Sequence, residues 1–173
     1  MKNPRPSLKY VPVKELDRSK MSFENFTVED PAAEKFGKLE GFIIDVDKAI
    51  PYYVVVNAGG WFHSKHVLVP IGHVALDSES KRLIADVSKE RVKRFPGFDL
   101  DLFPKLTGED LDRMADEIAS VCCPDLIVIE PAEFVSRVEV WAHYRTPVWW
   151  DTRFYTDRPR SGEGKPTEIE SKR

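Results

Sequence analysis

Between Lys38 and Val87 the chain is a succession of short apolar runs separated by turn-forming residues, and no other feature narrows the fold so far. Phe42-Ile43-Ile44, Tyr52 to Val56 and Val67 to Val69 are rich in β-branched and aromatic side chains, which suit a pleated, half-buried backbone. Asn57-Ala58-Gly59-Gly60, Pro70 and the polar stretch Ser78-Glu79-Ser80-Lys81 punctuate them. The pattern predicts a small, strongly curved antiparallel sheet that ends near Val87, with Gly41 marking a tight bend inside its strand.

The first confident strand opens at Leu39, after a turn or single helical turn over Pro31 to Lys38, and Asp47 to Pro51 makes the first hairpin connection. Ala49 and Ile50 are atypical turn residues there. Asn57 to Lys65 is a longer loop whose tip carries Trp61 and Phe62. Ahead of the sheet, residues 1–30 read as an extended arm in which Leu16, Met21, Phe23 and Phe26 could lie across the sheet. Phe26-Thr27-Val28 could form a leading strand before the turn at Asp30-Pro31.

Beyond Val87, Ser88 is a good helix N-cap, and Pro96-Gly97 stops the helix that follows it. Thr107-Gly108-Glu109-Asp110 starts a second helix by the capping-box pattern. Leu111, Met114, Ile118 and Val121 recur at helical spacing along it, a stripe expected to pack within the protomer or, failing that, to form an oligomer seam. Leu126-Ile127-Val128-Ile129 reads as a strand and Phe134 to Tyr144 alternates apolar with polar residues in its middle, so the pair could be a hairpin or a strand and a helix. Pro147-Val148-Trp149-Trp150-Asp151-Thr152-Arg153-Phe154-Tyr155 then concentrates aromatics that must fold back on the barrel or dock on a partner. The polar end reads as a disordered tail.

The order Lys38 to Asp47, Tyr52 to Val56 and His66 to Pro70, continued through Leu83 to Val92 and Phe95 to Asp99, resembles the PRC-barrel domain. That family includes the cytoplasmic domain of the photosynthetic reaction centre H subunit. The resemblance implies a mainly β fold with flanking helices (α+β), a small PRC-type β-barrel with an N-terminal arm and a C-terminal extension. The organisation that follows is an arm over 1–30, the barrel over 31–100, a helix plus aromatic-rich extension over 101–156 and a tail over 157–173. It also implies two further classes of role. One is ribosome or RNA-processing association, from a similar barrel in a ribosome-maturation factor; the other is a small-ligand, metal or proton-handling module.

A chain of 173 residues with 42% hydrophobic residues can bury one core. The formal charge of -3 gives no global attraction for nucleic acid or anionic lipid. No apolar stretch approaches the roughly 20 residues that span a bilayer, and Met1 to Pro12 lacks a signal-peptide apolar region, so the expected compartment is the cytoplasm. Cys122 and Cys123 are read as two adjacent thiols, because a bridge between neighbours demands an unusual backbone.

The chain has no Gly-rich phosphate loop, no Cys-x-x-Cys pair, no His-Glu-x-x-His helix and no nucleophile elbow. His63-x-x-His66, with His73 and Asp77 nearby, is the one spacing that suggests a metal, and the loop position of His63 leaves its geometry unset. Asp45 and Asp47 resemble a carboxylate pair for acid-base work, yet turn chemistry explains them better. Lys89, Arg91, Lys93 and Arg94 form a small basic cluster, in the ordinary case a solvated helix face. No catalytic residue, metal or cofactor is assigned. The expectation is a non-enzymatic adaptor that contacts protein partners and itself through Trp61, Phe62, Trp141, Trp149, Trp150 and Tyr155.

Overall fold

The computed structural model describes residues 7–19, 21–58, 65–122 and 144–155. Its strands are β1 (Leu8–Pro12), β2 (Thr27–Glu29), β3 (Lys35–Asp45), β4 (Ile50–Asn57), β5 (His66–Pro70), β6 (Val74–Asp77) and β7 (Arg82–Ala85). They form one sheet in the order β5-β4-β3-β2-β7-β6, with β1 beside β3. Among the described residues no ladder joins the end strands β5 and β6. They are linked in sequence by the 3-10 turn Ile71–His73, so the sheet curls without closing.

β3 organises the sheet because it is long enough to serve two partners on one edge. β2 pairs with its first half, setting Thr27 opposite Lys38, and β1 pairs with its second half, setting Pro12 opposite Gly41 and Leu8 opposite Asp45. β4 runs along the other edge, where Leu39 faces Val56 and Gly41 faces Val55, so Glu40 is the extra residue of a β-bulge. The bend places β1 hard against Gly41. A Cβ there would run into the Val11 carbonyl oxygen and lie 2.8 Å from the Tyr10 ring.

The strand begins at Lys35 rather than Leu39, and the arm is not an appendage: β1 and β2 belong to the same sheet as the rest. Val11, Leu16, Phe23 and Phe26 are buried in its core. β2 also pairs with β7 in parallel, which ties the arm to the last hairpin. Along β3, Phe42, Ile43 and Ile44 are all fully buried, as are Val54, Val55 and Val56 along β4. Unbroken apolar runs of this kind need cover on both faces of a sheet.

Among the described residues, α1 (Lys89–Val92) and α2 (Gly108–Cys122) follow the barrel. In α1 the Ser88 hydroxyl accepts the Arg91 amide. In α2 the capping box is complete: the Asp110 amide donates to the Thr107 hydroxyl at 3.1 Å, and the Thr107 amide donates to the Asp110 carboxylate at 3.0 Å. The α2 stripe packs within the protomer, with Ile118 buried in the core and Leu111, Met114 and Val121 against it. Cys122 is disulfide-bonded, which corrects the expectation of free thiols. The strand expected at Leu126 to Ile129, the segment from Phe134 apart from its last residue, Tyr144, which is helical, and the tail from Asp157 lie outside the described residues. Among the described residues no helix is long and apolar enough to cross a membrane.

Candidate functional site

Of the six aromatic residues assigned to interaction, Trp61, Phe62 and Trp141 lie outside the described residues. Trp149, Trp150 and Tyr155 lie against the protomer's own core. Trp150 meets Phe42 edge-on at 5.2 Å and Phe154 at 5.1 Å, and Phe23 stacks beside it at 6.4 Å. Both indoles satisfy their N–H on backbone, Trp149 on the Val74 carbonyl at 3.0 Å and Trp150 on the Ala49 carbonyl at 2.8 Å. A buried indole without such a partner costs about 1–3 kcal/mol, so the two bonds fix where the segment lands. An interface built from Trp150 or Tyr155 would have to lift this segment off the barrel. What the segment leaves outside is Val148, fully exposed at the tip of the turn that the Trp150 amide closes on the Pro147 carbonyl.

Tyr144 anchors the start of the segment. Its hydroxyl lies 2.7 Å from that of Tyr53, and its ring stacks on Tyr52 at 5.4 Å. Burial pushes the Tyr144 phenol up to about 12, and burial followed by the neighbouring Tyr144 oxygen raises Tyr53 well above the ordinary tyrosine value. Both stay protonated near neutrality and serve as a neutral hydrogen-bonded pair.

The histidine spacing does not assemble a metal site among the described residues, where no group of three or more His, Cys, Asp or Glu side chains converges. His63 lies outside them, His66 opens β5 as expected, and His73 ends the 3-10 turn after β5. His66 instead stands 4.0 Å from Glu40, whose carboxylate also accepts the Asn57 amide at 3.0 Å. The bulge aims Glu40 at this spot, at the foot of the loop that follows Asn57. Asp45 is buried and works in the turn, its carboxylate accepting the Asp47 amide at 3.0 Å.

The remaining displaced carboxylates have structural partners. Burial alone would raise the Asp30 carboxyl, yet the Glu34, Lys89 and Ala32 amides that donate to it, with the Lys89 charge, hold it below the usual range. Asp30 thereby ties the β2–β3 turn to the start of α1. Arg82 bridges Asp77 at 2.9 Å and Glu29 at 2.7 Å, and it holds the Asp77 carboxyl low. The basic cluster is likewise tied into the fold, with Arg91 donating to the Cys122 carbonyl at 3.4 Å and Lys93 pairing with Glu90 at 3.4 Å.

The described residues also form a half-open apolar feature that the sequence alone did not single out. Between α2 and the 3-10 turn Leu100–Lys105 lies a groove of about 320 Å³. Leu68 of β5 and Ile118 of α2, both buried, form its floor, while Leu102, 51% exposed, and Met114 form its walls. The Phe98 amide donates to the His66 carbonyl at 2.9 Å and holds the turn beside β5. The sequence signal was Leu102 itself, an apolar residue between Asp101 and Phe103 that no strand or stripe required.

Residues 22–92 match the family model of the PRC-barrel domain, so the chain carries that domain across β2 to α1. A relative is an uncharacterized protein of Deinococcus radiodurans, 34% identical over 65 residues, a match covering 34% of this chain and 24% of the relative. The chain thus spans about a quarter of that relative's length.

Proposed function

We propose that this chain, which carries a PRC-barrel domain over residues 22–92, is a non-enzymatic adaptor whose barrel is a rigid platform for protein contacts, a second copy of itself included. One observation carries the reading. Among the described residues the large apolar side chains left exposed are Leu102 and Val148, one on the groove and the other at the tip of the returning segment. Covering an exposed Leu or Val side chain is worth about 1.5–3 kcal/mol, and on a folded frame a partner surface can supply that cover. Displaced titratable groups hold structural positions: Asp30 in a turn, Asp77 in a strand bridge, Asp110 in the α2 cap, and Tyr53 and Tyr144 as a hydrogen-bonded pair.

The reading is tested by the solution mass of the full chain from light scattering, beside affinity capture with the wild type and with Val148→Asp and Leu102→Asp. The expected result is an assembly larger than the protomer, or a retained partner, that one of the two substitutions abolishes. A monomer at every concentration that retains no protein overturns the adaptor reading.

A further inference from the structure

We infer that the groove between α2 and the Leu100–Lys105 turn docks a segment of a partner protein presenting an aliphatic or aromatic side chain flanked by lysine or arginine. The inference rests on the adaptor reading and names the chemistry of one partner.

The floor and walls call for the apolar side chain. The volume, about 320 Å³, lies at the lower end of the range for sites that hold a small molecule or a few side chains. Leu68, Met114 and Ile118 offer it only hydrocarbon and a thioether, and the exposed Leu102 gains cover when it is filled. The rim calls for the cation. Asp99, Asp110, Arg113 and Glu117 line the groove, and Arg113 is bound to Asp110 at 3.1 Å, so that pair is internally neutral. Asp99, which caps the turn by accepting the Asp101 amide at 2.9 Å, and Glu117 on α2 are left to set the sign. A basic flank is attracted on both sides, and an acidic one is repelled, which gives discrimination as well as attraction.

The walls lie outside the family match. Residues 22–92 contribute Leu68 to the floor, whereas Leu102, Met114, Glu117 and Ile118 come after it. The groove therefore belongs to what this chain builds onto its barrel.

The test is fluorescence anisotropy on the full chain with three labelled peptides. One has a central Leu-Phe pair between two lysines on each side, the second has glutamates in place of the lysines, and the third has Ser-Ser at the centre. The lysine-flanked peptide is expected to bind, the glutamate-flanked one at least about tenfold more weakly, and the serine one not at all. Glu117→Lys should weaken the first peptide about fivefold. Glu109→Lys, the same charge change outside the groove lining, should leave it unaltered, and Leu102→Ser should abolish binding. Both groove positions are exposed, and unchanged thermal melting of the variants verifies the fold. Equal binding of all three peptides, no binding of any, or indifference to Glu117→Lys and Leu102→Ser overturns the assignment. A wild-type dimer that Glu117→Lys converts to monomer also overturns it, giving the groove to a second copy while leaving the adaptor reading standing. A monomer that binds no peptide and retains no protein overturns both.

Discussion

The indole Nε1 of Trp150 donates a hydrogen bond of 2.8 Å to the carbonyl oxygen of Ala49, a residue 101 positions earlier. Ala49 holds a φ of 58°, in the left-handed region, and its own amide donates to the Asp45 carbonyl at 2.8 Å. An alanine in that conformation costs about 1–2 kcal/mol. The first hairpin turn is thus held in an unfavourable shape from both sides, by the buried aspartate that opens it and by a tryptophan from the far end of the chain.

Ala49→Gly is expected to stabilise the protein by about 0.5 kcal/mol, because relief of the left-handed strain exceeds the extra backbone entropy of glycine. Urea denaturation measures it. A loss of stability would show that the turn stores no strain at Ala49.

Trp150→Phe keeps a ring in the aromatic cluster and removes the donor, so it should cost about 1–2 kcal/mol from the bond and the orphaned carbonyl. Trp150→Ala should cost about 3–5 kcal/mol. It should also raise amide hydrogen exchange at Asp17, whose N–H donates to the Phe154 carbonyl at 2.8 Å. Equal losses for the two variants would place all of the effect in the hydrogen bond.

Tyr10 and Tyr144 are pushed up to about 12, and Tyr52 and Tyr53 are also raised, in each case chiefly by burial. A phenol whose folded pKa lies above its unfolded value of about 10 contributes stability that is fully present below pH 10 and is lost as pH rises through the folded value. Stability should therefore fall steeply between about pH 10 and 12. Ultraviolet titration of the folded chain should show four of the five tyrosines ionising late. Early titration of most of them would contradict the packing of Tyr144 on Tyr53.

Asp30 runs the other way. Its folded pKa is depressed, so its contribution is present above the unfolded value of about 3.9 and is lost as pH falls through the folded one. Asp30→Asn should cost about 2 kcal/mol at neutral pH, since three amides lose a charged acceptor. It should also flatten the acid limb of stability below about pH 4. An unchanged acid limb in chemical denaturation would remove Asp30 as the tie between the β2–β3 turn and α1.

Gly41→Ala would drive a Cβ into the Val11 carbonyl, whereas at Gly97 nothing lies within 4 Å of the same atom. The first substitution should detach β1, exposing Val11 and losing about 3 kcal/mol or more, while Gly97→Ala should be near neutral. Hydrogen exchange across Leu8–Pro12 distinguishes loss of β1 from a general loosening of the fold.

Much of this was readable in the residues because it is local. The strand runs, the start of β5 at His66, the Ser88 cap and the Thr107–Asp110 capping box depend on neighbours within a few positions, where propensity and side-chain reach decide. The turn role of Asp45 is of the same kind. The structure revised the arm, where β1 proved to be a member of the sheet beside the leading strand expected at Phe26 to Val28, and it revised the thiol reading of Cys122. β1 and β2 are five and three residues long, so their stability comes from pairing with β3 rather than from their own sequence.

A small curved β-domain followed by capped helices is written in the order of the residues, since periodicity and cap chemistry act over one or two turns of chain. That β2 runs parallel to β7, that the Trp149-Trp150 pair closes over the barrel, and that Leu102 and Glu117 share one groove emerges from the folded chain alone. Such pairings join residues tens of positions apart, and their energy is that of burying particular surfaces and hydrogen-bonding particular groups once the chain is already folded around them. An aromatic-rich segment carries the same drive to be covered whether its cover is its own barrel or another protein, and the choice between them is made by where an indole N–H finds its carbonyl.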